Sequence, residues 1–431
     1  MSTSELFLDP DEIEEFIRET KKHPQWFYGY EGQELGICPY ITFYVYHPDE
    51  DFTPIAKEFL LVWKRFQELM DLPFKKIFKN KTEVWLNAND KRLPTDLMAE
   101  AEQASKRGFE DFYLMATDMN SPDESPRWSY AASITSNHYQ RYSFLKLGFR
   151  YKWYAAGNQH IWRQFIRECV TSLQPEHCYM GYEVGNGGLS VMTGYEANVL
   201  ERICADYFYG MDIDHPWNMT YHGHGQDYFD PSRLGAGIRT PTWCFMLSPF
   251  WQRKLGKDEQ QIRAELDDPR IRITPVPYAA NALNPEGANG LWIELGDLNL
   301  YPVEDGVPDL LVKANRLIRP IRCDELSLST LASWADDPNP RFEYEDSIRW
   351  MRRFDEDSDW PNAQIRHGGN PLAPDRIPSG QPCPQTGWWY TPAQNHSRRY
   401  FKAGELMPVV EGSSYGETYW IWDSNQEAPT Q

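Results

Sequence analysis

Behind Thr53-Pro54, the apolar residues Ile55, Phe59, Val62, Phe66 and Leu69 recur at helical spacing and predict a helix running to Met70. Thr53 reads as its N-cap and Pro54 as the first helical residue, where a missing N–H costs nothing. Ile37 to Tyr46 is dense in β-branched and aromatic residues and predicts a strand. Further strands are expected at Thr82–Leu86, Phe109–Thr117 and Ser129–Thr135, with a helix opened by Pro94 and ending near Arg107. Ahead of them, Glu5 to Lys22 carries a narrow strip of Ile13, Phe16 and Ile17 in a run of acids, a short amphipathic helix with a negative face.

The second half replays this order. Strands are expected at Tyr179–Val184, Gly188–Met192 and Trp243–Leu247, then at Ile271–Thr274 and Leu291–Leu295. Helices are expected at Glu196–Tyr209 and Asp258–Leu266, with a last one starting at Pro308. The pattern points to an α+β fold of two related β/α halves with mixed or antiparallel sheets, although no literal repeat is present. It divides the chain into an acidic arm (1–34), a body (35–325), an acidic then proline-rich linker or wrap (326–382) and a small aromatic β module (383–425).

Charge narrows the partners. The 431 residues hold 63 acidic and 43 basic side chains, a net charge of −20, so the averaged field repels phosphates and favours capture of a basic protein over direct nucleic-acid binding. The seven cysteines include no CxxC pair, which argues for reduced, buried thiols. No apolar run is long enough for a membrane span, and the acidic start is unlike a secretory signal, so a soluble, cytoplasmic protein without a membrane partner is expected.

Catalytic signatures fail on context. Gly256-Lys257 lacks the glycines and hydroxyl of a phosphate loop, and Gly185 to Gly188 reads as a turn. Pro10-Asp11 with Glu19-Thr20-Lys21 outlines a PD…ExK nuclease, but on a helix residues two apart do not face each other. His215, His222 and His224, near Asp212, Asp214 and Asp227, form the best metal candidate and would centre a metal-dependent hydrolase; a polar loop needing no metal is the plainer reading. Residues 140–167 interleave Arg141, Lys146, Arg150, Lys152, Arg163 and Arg167 with aromatics, as a nucleic-acid stacking surface does. A sheet with an aromatic core face and a basic face paired with acids elsewhere is the preferred reading. No cofactor is expected, and binding is favoured over catalysis.

From about Leu35 to Arg322 the chain resembles the type VI secretion immunity family that protects against VRR-Nuc nuclease toxins. Gly181-Tyr182 opens a strand, and Ala205 to Asp214 resembles the family's A-x-x-Y-x-G-hydrophobic-D segment. Trp243 falls in a tryptophan-containing strand, Gly296-Asp297-Leu298-Asn299 resembles a G-D-x-N turn, and Pro320-Ile321-Arg322 a closing P-x-R. Glu294 replaces the proline usual before the turn, and the tyrosine of the last helix is missing. Cys383 to Trp422 resembles a tail found on other type VI-associated immunity proteins.

The resemblance implies a non-catalytic inhibitor of a basic nuclease toxin, occluding a cleft built around PD-(D/E)xK carboxylates. Candidate contact residues are Asp212, Asp214, Asp227 and Asp230 in one loop, and Glu343, Glu345, Asp346, Asp355, Glu356, Asp357 and Asp359 in the acidic stretch, the last four taken as exposed. A secretion adaptor that binds the toxin and leaves it active is the remaining alternative.

Overall fold

The computed structural model describes residues 18–22, 28–30, 33–35, 37–47, 51–79, 84–94, 96–108, 111–121, 125–134, 142–185, 201, 204–216, 219, 233–281, 283–325, 344–360, 376–384, 386–391, 393–394, 397–410 and 418–423. The described residues form two compact units, a large one that reaches Trp360 and a small one that begins at Arg376.

In the large unit, β1 (Tyr28–Tyr30) and β2 (Gln33–Leu35) pair as a ribbon. Ten further strands form one sheet: β3 (Ile37–Tyr46), β4 (Lys76–Lys79), β5 (Leu86–Asn87), β6 (Phe112–Thr117), β7 (Ser129–Ile134), β8 (Tyr142–Gly148), β9 (His177–Val184), β10 (Cys244–Leu247), β11 (Ile271–Tyr278) and β12 (Ala288–Leu295). Their order is β11-β12-β10-β9-β3-β8-β7-β6-β4-β5, antiparallel at every pair. Strands from the first half of the chain occupy one side and strands from the second half the other. The long strands β3 and β9 join them at the centre, in register from Ile37↔Val184 to Tyr44↔His177. The α+β expectation is met, with both halves contributing to a single sheet.

The longer helices among the described residues are α1 (Thr53–Leu69), α2 (Leu97–Arg107), α3 (Gln159–Leu173), α4 (Pro249–Leu255), α5 (Glu259–Glu265), α6 (Asp309–Ile318) and α7 (Tyr344–Met351). Helix α1 starts one residue earlier than expected, at Thr53: Phe52 stands at the N-cap, and the Asp51 carboxylate accepts from the Thr53 N–H at 2.9 Å. Asp96 caps α2, Gly108 ends it in a left-handed turn, and a reciprocal Asp258/Gln261 capping box opens α5. Gly256 is the left-handed C-cap of α4.

Helix α3 corrects the reading of residues 140–167 as sheet throughout. Strand β8 ends at Gly148, and the chain then turns into a helix that buries Trp162, Phe165, Ile166, Cys169, Val170 and Leu173. These side chains and Phe59, Val62 and Phe66 of α1 meet Ile41, Phe43, Leu145, Leu147, Cys178 and Met180 on one face of the sheet. Trp162 stacks on Trp243 with ring centroids 5.7 Å apart, and Phe66 meets Phe149 edge-on at 5.3 Å. Such pairs add roughly 0.5–1.5 kcal/mol beyond the area they bury. Three basic residues of the stretch are taken up within the fold: Lys146 is buried, Arg150 pairs with Asp71, and Arg163 with Glu294; Lys152 and Arg167 are exposed, and Arg141 lies outside the described residues.

At one end of the sheet, β11 exposes Pro275 and Pro277, and the guanidinium of Arg263 donates to the Ile273 carbonyl at 3.1 Å. Glu294 of β12, at the position where the resemblance expects proline, instead takes an ion pair from its cross-strand partner Arg272 at 2.6 Å.

The small unit is a four-stranded antiparallel sheet of β13 (Arg376–Pro378), β14 (Gly387–Tyr390), β15 (Arg399–Phe401) and β16 (Tyr419–Trp422), in the order β13-β16-β14-β15. Ile377, Cys383, Trp389, Phe401, Met407 and Trp420 form its core. Alternation along the strands turns Trp388, Tyr390 and Tyr400 to the opposite face, where Tyr390 and Tyr400 are exposed.

Candidate functional site

The face of the large sheet turned away from α1 and α3 is polar, although it too is buried. Alternation along β3 puts Ile41 and Phe43 into the apolar core and Tyr40, Thr42 and Tyr44 on the reverse side. Lys146 of β8 and His177, Tyr179 and Glu183 of β9 join them. The fully buried Arg239 donates to Asp214 Oδ1 at 2.7 Å, to the Ile213 carbonyl at 3.0 Å and to Asp212. The Tyr40 hydroxyl donates to Asp212, and those of Thr42 and Tyr44 to Asp214. Lys146 Nζ lies 2.5 Å from Glu183 and 3.6 Å from Asp214.

The two aspartates share one guanidinium yet titrate apart. Burial outweighs Arg239 at Asp212 and holds that carboxyl above its ordinary range. At Asp214 burial acts the same way, but Lys146, Arg239 and two hydroxyls outweigh it, and the carboxyl is held below its ordinary range. For Lys146, Glu183 and Asp214 outweigh burial, so its ammonium is held charged.

Helix α7 and the turns after it close over this network. The Trp350 ring meets both Arg239 and Arg353, whose guanidinium carbons are 5.6 and 3.7 Å from its centroid. Burial pulls Arg353 down to about 9. Trp360 is buried and donates to the Ala205 carbonyl at 3.3 Å. Asp355 accepts a bidentate pair from Arg322, both bonds at 2.8 Å, and a third bond from Asn315 at 2.7 Å.

These positions correct three of the expected contact residues. Asp212, Asp214 and Asp355 are internal ion-pair partners with side chains at most 4% exposed, so they cannot face a partner in this fold. Asp346 is paired with Arg349 at 3.0 Å. Glu356 and Asp359 are exposed and held by single arginines, Arg316 at 2.8 Å and Arg349 at 3.0 Å, and Asp357 is exposed. Glu345 lies in α7, whereas Asp227, Asp230 and Glu343 fall outside the described residues. His215 is buried beside Glu201 at 2.9 Å; His222 and His224 also lie outside the described residues, among which no group of three or more metal-binding side chains occurs. Residues 364–431 hold five basic and six acidic side chains, so nearly all of the excess negative charge lies in the rest of the chain.

The motif residues converge in space and serve the fold. Tyr209 and Gly210 donate their N–H groups to the Tyr301 and Leu300 carbonyls at 2.9 and 2.7 Å, beside the Gly296–Asn299 turn. A Cβ on Gly210 would stand 2.1 Å from the Asn299 carbonyl oxygen, so only glycine permits this approach. Trp243 donates to the Gly296 carbonyl at 2.9 Å, and Arg322 of Pro320-Ile321-Arg322 holds Asp355. The family model described as Type VI immunity for VRR-NUC (TsiV) matches residues 84–354. The chain belongs to this family. It is therefore a type VI immunity protein for VRR-NUC effectors, and the matched span includes α7 as well as the motif residues. The fold is similar to that of the Pseudomonas aeruginosa T6SS protein PA0821, with a TM-score of 0.59 and 16% identity over 77% of this chain and 86% of that chain. No curated protein matches. Among the described residues, no helix of this immunity protein is long and apolar enough to cross a membrane.

Proposed function

We propose that the protein protects by binding a VRR-NUC effector one to one in the cytoplasm and covering the cleft that takes DNA, without turnover. Membership of the immunity family over residues 84–354 carries this reading. Its charge supports it: a cleft that holds DNA has to be basic, and a chain of net charge −20 offers the complementary sign. Co-expression with the effector is expected to restore growth, and the purified complex should have lost DNA cleavage. A stable complex that still cuts DNA would make the protein an adaptor; toxicity undiminished despite good expression would remove the immunity reading.

The exposed acids of residues 356–359 give a finer test. Neutralising Glu356, Asp357 and Asp359 to Gln or Asn should lower the association rate roughly two- to tenfold at low salt while changing dissociation less. Asp355 is left intact, because it is bonded to Arg322. The effect should fade by physiological salt, as the Debye length falls from about 30 Å at 0.01 M to about 8 Å at 0.15 M. Equal association rates for variant and wild type by stopped-flow at low salt would exclude this stretch from the encounter surface.

A further inference from the structure

Glu176, just before β9, is a buried carboxyl held by neutral groups. It is 2% exposed, and its described partners are the Ser248 hydroxyl and the Asn284 side-chain amide, the latter at 3.5 Å. The nearest cation, Arg253 of α4, is turned to the Leu283 carbonyl and to Asn284 Oδ1, 3.2 Å away. An amide therefore stands between the arginine and the acid.

Three elements meet at this carboxyl. Ser248 is the N-cap of α4 and accepts from the Trp251 N–H. The loop of residues 279–281 and 283–287 supplies Asn284 and is pinned by Ala279 N–H to Gln174 Oε1 at 2.8 Å. Tyr278 of β11 donates to the Pro175 carbonyl at 2.6 Å, and the Glu176 N–H donates to the Tyr44 carbonyl of β3 at 2.9 Å. The titratable or charged groups facing Glu176 from these elements are Arg253 and Tyr278; the hydroxyl of Tyr44 is turned to Asp214.

We propose that Glu176 is a proton-operated clasp: its neutral form holds the described residues of this loop and the start of α4 closed, and its ionisation loosens them. Burial pushes this carboxyl up to about 7, against 4.5 for an ordinary glutamate. A carboxyl raised in the closed state favours closure fully below the ordinary value and loses that contribution as pH rises through the raised one. If opening returns the carboxyl to water, the opening constant of the loop grows about tenfold between pH 6 and pH 8.5.

Hydrogen exchange of the loop amides in the full chain, corrected for intrinsic base catalysis, should show this rise in wild type and a flat response in Glu176→Gln. A flat wild type, or the same rise in the variant, would overturn the clasp. A ¹³C titration of the carboxyl in wild type tests it without a variant: a midpoint near 7 is expected, and an ordinary glutamate midpoint refutes it.

Discussion

Replacing Arg239 by methionine should lower the unfolding free energy by roughly 3–5 kcal/mol, the cost of removing one partner from a buried ion pair. Methionine fills much of the volume but leaves Asp212 and Asp214 without the guanidinium that both accept from. The hydroxyls of Tyr40, Thr42 and Tyr44 stay, and Lys146 remains 3.6 Å from Asp214, so the loss falls short of two stranded charges. Lysine at 239 should recover only part of the loss, because an ammonium lacks the fork that spans two carboxylates. Adding Asp212→Asn and Asp214→Asn to the methionine variant should restore stability by removing the charges themselves. Urea unfolding measures all four proteins; a methionine variant within 1 kcal/mol of wild type would mean the cluster is not a stabilising network.

Acid should reach the same face through His177. The ring is fully buried; Nε2–H donates to the Leu234 carbonyl at 2.7 Å, and Nδ1 lies 3.0 Å from the Tyr179 hydroxyl. That hydroxyl accepts the Arg239 backbone N–H at 3.0 Å and has its own proton free for Nδ1, which fits the neutral imidazole. Burial pulls the group down to about 3 from 6.5. For a base depressed in the folded state, the contribution is present above 6.5 and is lost as pH falls toward 3. Between pH 7 and pH 5 the stability of wild type relative to His177→Gln should therefore drop by about 2 kcal/mol. Glu176, raised to about 7, works in the opposite direction over the same interval and cancels in that comparison. A wild-type-to-variant difference independent of pH would show that the ring does not resist protonation.

The sequence made the secondary structure more visible than the site. The α1 stripe and the aromatic run of β3 were readable because each periodicity belongs to one element. Helix α3 was hidden by the arginines interleaved with its aromatics, yet Trp162, Phe165, Ile166, Cys169, Val170 and Leu173 follow the spacing of a buried stripe. The acidic candidates failed for a different reason: sequence reports charge but not burial. Asp212 and Asp214 gave no sign that Arg239, 25 to 27 residues away, would neutralise them. One signal was available, since Arg239 sits among threonines and prolines in a stretch from Pro231 to Lys257 that contains no acid. Its partner had to come from elsewhere in the chain. Asp355 was lost among neighbouring acids, because its distinction is Arg322, 33 residues earlier.

The prolines of β11 bear on what the protein does when nothing is bound. Successive residues of a strand turn alternate ways, so Ile271, Ile273, Pro275 and Pro277 point their main-chain groups in the same direction, off the end of the sheet. Two of those four carry no N–H. The Ile271 N–H is taken by the Asp268 carbonyl, and Arg263 occupies the Ile273 oxygen. Little is left for a strand from another copy to zip onto. An immunity protein has to be on hand before any toxin arrives, and this border lets copies accumulate without polymerising through that end of the sheet.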